Sequence, residues 1–297
     1  MIEYSIIDDA AIALGGTSLT LEAMTQPIKD KCEFISTADL CKTHLQFKNP
    51  KVWVIGNTMA MNKESYETLV TILQTKKTVK IDFDYGYCRY RGPTPHRLLG
   101  KRECDCLTNP ETASLKNIYT LIHEYSSRRF YMSEAQKQIH GNVFSAPEVE
   151  SWNPALVLSS CFSPASLNKM KEFREKLKNG KYAIIQGHPG WHSQAKGVSE
   201  SVNYALENDL EYEIISTSTH EEMLEKLSAF EGLIFLPIIE DTCPRITIEA
   251  KLMGLKVITN PNSQHTSEEW WDFPLDKMEE YLKERPLKFQ DILSNLT

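Results

Sequence analysis

The chain lacks any long hydrophobic run: none of its apolar stretches approaches the ~20 residues that cross a bilayer. No membrane span is therefore expected. No G-x-G-x-x-G follows the first apolar stretch, which argues against a nicotinamide-dependent dehydrogenase. Cysteine is sparse and odd in number, seven in all, which argues against the disulfide framework of a secreted domain. No segment is of low complexity, and no repeat of fixed period is visible. The opening residues, MIEYSIIDDA, have no basic region before their apolar part, and two aspartates end it. No secretory signal is expected from them, and the protein is read as cytoplasmic.

What is present is an ordinary globular composition on a chain of 297 residues, 41% hydrophobic and 25% charged. That length suits one large or two medium domains. The net charge of −7 is uneven. Residues 1–150 carry 18 basic and 18 acidic side chains, whereas 151–297 carry 15 and 22. Within the balanced half, 76–102 holds eight Lys or Arg against two Asp. A local basic stripe on an acidic protein suits a polyanionic partner, or simply a solvated loop.

Hydrophobic patterning is that of an α/β protein. In the second half, short continuous apolar runs at 182–186, 212–216, 232–237 and 256–260 alternate with helical patterns at 198–206, 221–230 and 244–253. This is the signature of βαβ units and a parallel sheet covered on both faces. The first half repeats it with more interruption: strands at 3–7, 51–56, 79–83 and 129–132, helices at 18–25, 62–74 and 113–125, and an irregular Cys-bearing loop to about 109. A turn-rich stretch at 141–154 reads as a linker. The expected layout is two Rossmann-like domains, 1–145 and 155–275, facing a central cleft, with 276–297 a terminal helix packing back on the body.

One segment carries most of the chemistry. In 236–254, LPIIEDTCPRITIEAKLMG, an apolar strand runs into a short acidic loop and then a helix with Pro244 in its first turn. Asp241 or Thr242 can cap that helix. A helix N-terminus beyond the carboxyl end of a strand is where α/β sheets bind anions. Asp241 and Glu249 flank such an anion and can grip a polyol. A second constellation is Cys88, His96, Cys104 and Cys106, four soft ligands within 19 residues. They can close a structural zinc site, or pack as small hydrophobes.

The order of these features resembles the GT-B glycosyltransferases, in particular the retaining, family-4-like branch that uses nucleotide sugars. Gly15-Gly16 is similar to that family's glycine loop, and Tyr131-Met132-Ser133-Glu134 to its strand end before the crossover. Gln186-Gly187-His188 with Lys196-Gly197 resembles its phosphate-binding element, and Asp241-x7-Glu249 its acidic pair. An Asp-Thr-Cys-Pro-Arg signature, read at 241–245, resembles small phage and bacterial transferases.

The resemblance implies a nucleoside-diphosphate sugar donor, with a UDP-sugar expected, and transfer to an acceptor hydroxyl with retention and no cofactor required for catalysis. It implies donor contacts from Gly15, Gly16, His188, Lys196, Gly197, Thr242, Arg245 and Glu249, with Lys196 and Arg245 neutralising the diphosphate. Glu249 is expected to hold the ribose and Asp241 the sugar hydroxyls. Asp84 stands where the family often places a first-domain His near the reacting carbon. Tyr85, Arg89 and Arg91 are expected beside the acceptor. Phage-like relatives make a hydroxymethylated pyrimidine in DNA one expected acceptor, within a host cytoplasm. A surface glycan is the other, and a non-catalytic nucleotide-sugar or nucleic-acid binding module on the same fold is a third reading. His188 departs from the usual Arg of the phosphate element, and Asp241 is a methylene shorter than the usual Glu.

Overall fold

The computed structural model describes residues 2–9, 15–144, 155–187 and 195–296. It contains two parallel sheets in two units: Met1–Ser159 with Arg285–Thr297, and Ser160–Glu284.

In the first unit the elements are β1 (Tyr4–Asp8), α1 (Gly16–Thr25), β2 (Cys32–Ser36), α2 (Lys42–Phe47), β3 (Val52–Ile55), α3 (Lys63–Thr75) and β4 (Thr78–Asp82). There follow α4 (Pro93–Gly100), α5 (Ala113–Tyr125), β5 (Arg128–Tyr131), α6 (Glu134–Phe144) and β6 (Ala155–Val157). All six strands pair in parallel, in the order β2-β1-β3-β4-β5-β6. β1, β3 and β4 are buried along their whole length because both sheet faces are covered, as continuous apolar runs require. The order reverses between β1 and β3, whose carboxyl ends therefore flank the switch point where open α/β sheets bind ligands.

The sequence pattern missed β2, α2, α4, α6, β6 and the helix after 160. Gly141, expected in a turn, lies inside α6. The rest of the expected linker, from 145 to 154, lies outside the described residues.

The second unit runs α7 (Pro164–Arg174), β7 (Tyr182–Ile185), α8 (Val198–Glu207), β8 (Tyr212–Ile215), α9 (His220–Leu227), β9 (Gly232–Phe235), α10 (Arg245–Leu252) and β10 (Lys256–Thr259). Its strands are also parallel, in the order β10-β9-β7-β8, so the reversal falls between β7 and β9. The last helix, α11 (Leu275–Leu296), contributes to both units. Within the first unit its Phe289 packs edge-on against Phe130, with ring centroids 5.2 Å apart, and Gln290 donates to the Met24 carbonyl. Among the described residues no helix is long and apolar enough to cross a membrane.

Candidate functional site

In the second unit, the loops that follow β7 and β9 meet at the switch point. Ile238 N–H donates to the Ala195 carbonyl (3.1 Å), and Leu236 N–H to Ser201 Oγ (3.2 Å). Gly197 makes this approach possible. Its φ of +68° is left-handed, and a Cβ there would lie 1.7 Å from the Leu236 carbonyl oxygen. The docking brings together two side chains far apart in sequence: Lys196 Nζ stands 2.5 Å from Asp241 Oδ2. Lys196 remains 43% exposed, so its ammonium has donors to spare for a ligand.

Three helices begin at this same carboxyl edge, α8 behind Gly197, α9 behind Thr219 and α10 behind Pro244. A helix start carries N–H groups with no intrahelical partner and roughly half a positive charge; at α9 the Thr219 hydroxyl accepts one of them, from Glu222. Pro244 is the residue before α10 rather than its first turn, and neither Asp241 nor Thr242 caps it. Asp241 is instead held by its backbone, which bridges to Ser263 and accepts from Gln264 N–H. Thr242 is buried.

Glu249 is 1% exposed. Its Oε1 accepts from Arg245 Nε at 2.7 Å, the i,i+4 partner on α10, and lies 2.8 Å from His220 Nε2 at the head of α9. Arg245 is buried as well, stacks 3.9 Å from the Phe162 ring centroid and donates to the Cys161 carbonyl. Arg245, expected on a diphosphate, thus has protein groups as its partners here, and it fixes the carboxylate of Glu249. His220, half-buried and touching that carboxylate, was missed by sequence reasoning. A histidine just behind a Thr cap was its only signal. His188 lies outside the described residues.

In the first unit, carboxylates gather at the carboxyl ends of β1 and β4. Asp9 accepts from the N–H groups of Met59 (2.7 Å) and Ala60 (3.0 Å), and Asp8 from Asn57 N–H (2.7 Å). Arg91, at φ 62°, donates to Asp84 Oδ2 (3.1 Å) and approaches Asp9 (3.7 Å). Burial pushes the Asp84 carboxyl up to about 6 against the opposing pull of Arg91 and Lys80. A carboxylate with that value, one-fifth exposed, suits proton transfer near neutrality.

Tyr85, expected beside the acceptor, is 2% exposed and stacks on His140 of α6, with ring centroids 5.3 Å apart, so its ring is part of the first unit's core. Arg89 is exposed. Gly15 is extended and precedes α1, with open space where a Cβ would sit, and Gly16 is the first residue of that helix.

Beneath Asp84 lies a sealed polar network. Lys80 donates to the Gly56 and Ile81 carbonyls and pairs with Asp82, both side chains being fully buried. Burial alone would raise Asp82, but Lys80, His140 and His123 hold it below the usual carboxylate range. His123 is driven down to about 3 by burial and is therefore neutral. Arg129 donates to its Nδ1 (3.2 Å), so its proton sits on Nε2, facing Asp82.

The four soft side chains expected as metal ligands do converge. Their ligand atoms all lie within 4.8 Å of one another, and three of the four residues are fully buried.

No family model matches the chain, and no curated protein matches it. Solved structures do. One is an alpha-glucosyltransferase in complex with UDP and a 13-mer DNA containing a central A:G mismatch, with TM-score 0.52 and 10% identity over 99% of this chain and 90% of that one. Another is Anabaena HepE in complex with UDP-glucose, with TM-score 0.52 and 11% identity over 99% and 95%. A third is AviGT4, a glycosyltransferase involved in avilamycin A biosynthesis, with TM-score 0.51 and 10% identity over 98% and 95%. At such identities the likeness is one of fold: this chain has the two-sheet α/β architecture of GT-B glycosyltransferases.

Proposed function

We propose that the protein is a glycosyltransferase that takes a sugar from a UDP-sugar and passes it to an acceptor hydroxyl with retention of configuration. The observation that carries this reading is the meeting of Lys196-Gly197 and Asp241 at the second sheet's switch point, on the carboxyl edge where α8, α9 and α10 begin. In this reading Lys196 and the helix starts hold the diphosphate, whose charge grows as it leaves. Asp241 takes sugar hydroxyls, and Glu249, fixed by Arg245 and His220, takes the ribose. The bond from the anomeric carbon to the diphosphate oxygen breaks with its electrons leaving on phosphate. The acceptor oxygen bonds to that carbon on the same face and gives up its proton. Asp84 belongs to the acceptor side, as orienter and proton acceptor.

A hydroxymethylated pyrimidine in DNA is the acceptor we favour. The segment between β4 and α5 exposes Arg89, Arg97, Lys101 and Arg102, charges that suit a phosphate backbone, and one structure of like fold is bound to DNA. Flipping the base out of the duplex would be required. The test is incubation with UDP-glucose and duplexes with and without hydroxymethylated bases, read by mass spectrometry of the nucleosides and NMR of the new anomeric linkage. A glucosylated base with the donor's α configuration supports the proposal. Hydrolysis or transfer to a glycan alone moves the acceptor away from DNA, and no donor turnover on any acceptor leaves only the binding-module reading.

A further inference from the structure

We propose that Cys88, His96, Cys104 and Cys106 form a structural zinc site that closes the segment between β4 and α5. The argument rests on distances. A tetrahedral site with metal–sulfur bonds of ~2.3 Å and a metal–nitrogen bond of ~2.0–2.1 Å places sulfurs about 3.8 Å from one another and about 3.5 Å from the nitrogen. In this chain Cys88 Sγ is 3.6 Å from Cys104 Sγ and 3.8 Å from Cys106 Sγ. His96 Nδ1 is 3.5 Å from Cys88 Sγ and 3.4 Å from Cys106 Sγ. Every one of these separations matches the edge of a zinc tetrahedron within about 0.2 Å. None approaches the ~2.05 Å of a disulfide, and all of the cysteines are free.

The surroundings are built for the same ion. His96 presents Nδ1 to the sulfurs, while its Nε2 lies on the far side of the ring, 3.7 Å from Asp105 Oδ1. A carboxylate behind the ligating imidazole is the usual outer support of a zinc histidine. Asp105 is itself steadied by Asn109 (2.9 Å) and Arg102 (3.4 Å). The ion also has a structural task. The helix α4 is eight residues long, buries only Pro95 and His96, and leaves Leu98 and Leu99 exposed. His96 is therefore its main anchor. Four protein ligands leave no open position, which is the mark of a structural site.

A second buried cluster, Asp82 with His123 and His140, makes an instructive contrast. There Arg129 occupies the Nδ1 lone pair of His123, so the nitrogen facing the cluster bears a proton and cannot ligate. That cluster is a hydrogen-bonding network, whereas the cysteine-rich one gathers four ligand atoms within 4.8 Å of one another.

The test uses the full chain, purified under reducing conditions without chelator and dialysed. Elemental analysis should find about one zinc per chain, and Cys104→Ser should lose most of it while Cys32→Ser, in β2, keeps it. Because losing a ligand can unfold the segment, the wild-type protein reconstituted with Co²⁺ supplies a second readout. It should show the strong visible absorption and thiolate charge-transfer bands of tetrahedral sulfur coordination. Less than about a tenth of an equivalent of metal after incubation with Zn²⁺ overturns the proposal. So does a pale, six-coordinate cobalt spectrum, or a disulfide among these cysteines in the freshly isolated protein. None of these readouts involves sugar transfer, so this proposal and the proposed function fail separately.

Discussion

Substituting Lys196 by Ala separates binding from folding. Lys196 Nζ is 2.5 Å from Asp241 Oδ2, with the two side chains 43% and 18% exposed. A pair this open to water contributes roughly 0–1 kcal/mol to stability, so the variant should unfold within about 1 kcal/mol of the wild type. Donor binding is another matter. If the ammonium holds the diphosphate, removing it deletes a charge-assisted contact worth roughly 1.5–3 kcal/mol. At about 1.4 kcal/mol per decade that raises the Kd for UDP about 10- to 150-fold. Calorimetric titration with UDP gives the affinity, and urea unfolding gives the stability of the same preparations. The lost contact is ionic, so the difference between variant and wild type should narrow as salt rises. A Kd within about twofold of wild type in a stably folded variant refutes the placement of the donor phosphates at Lys196.

Other perturbations bear on the same geometry. Glu249→Ala leaves the buried Arg245 guanidinium without its carboxylate and should destabilise the protein by about 3–5 kcal/mol in chemical denaturation, whereas a solvated helix residue would cost almost nothing. Gly197→Ala forces a side chain into a left-handed position against the Leu236 carbonyl; a loss of at least about 1–2 kcal/mol is expected, and an unchanged melting temperature would contradict the close approach of the two loops. Because Asp84 keeps its proton up to about pH 6 when folded, against an ordinary value of 3.8, the folded chain holds a proton that the unfolded chain has released between about pH 4 and 6. Stability from this group therefore falls as pH rises through that window, while transfer, which needs the carboxylate, should rise through about pH 6. Asp84→Asn should remove both slopes and slow transfer by roughly 10²–10⁴, and a pH–rate profile that keeps its acidic limb in that variant assigns the limb to another group.

The parts of this molecule that were legible in advance share a physical reason. Strands β7, β9 and β10 carry continuous apolar runs between helices of plain 3.6 periodicity, so tertiary burial and local pattern agree. β2, read from Cys32 to Ser36, was not legible because it is an edge strand whose residues are mostly half-buried, and Glu33 interrupts its apolar pattern. α4 was hidden by Pro93, Pro95 and the cysteines around it, although proline at a helix start is permitted. In α7, Ser163 accepts from Ser166 N–H ahead of Pro164, a cap that can be seen in the sequence once the strand before it is known.

The site divides in the same way. The helix carrying Glu249 was legible from its flanking strand, Pro and Gly. The partners of that carboxylate were not. The spacing of Arg245 and Glu249 is i,i+4, but spacing alone does not tell a pair buried against Phe162 from two side chains facing a ligand. Lys196 and Asp241 are 45 positions apart and meet only because two loops dock through Gly197. The cysteine cluster was legible as a set because its members lie close in the chain. Its tetrahedral separations belong to the fold.

The most direct measurement is a crystal structure of the protein with UDP bound. The diphosphate should lie within hydrogen-bonding distance of Lys196 and the start of α10, with the ribose hydroxyls on Glu249. A nucleotide bound at the first unit's carboxylates, or one in the second unit that leaves Lys196 paired only with Asp241 and Glu249 sealed behind Arg245, contradicts the account.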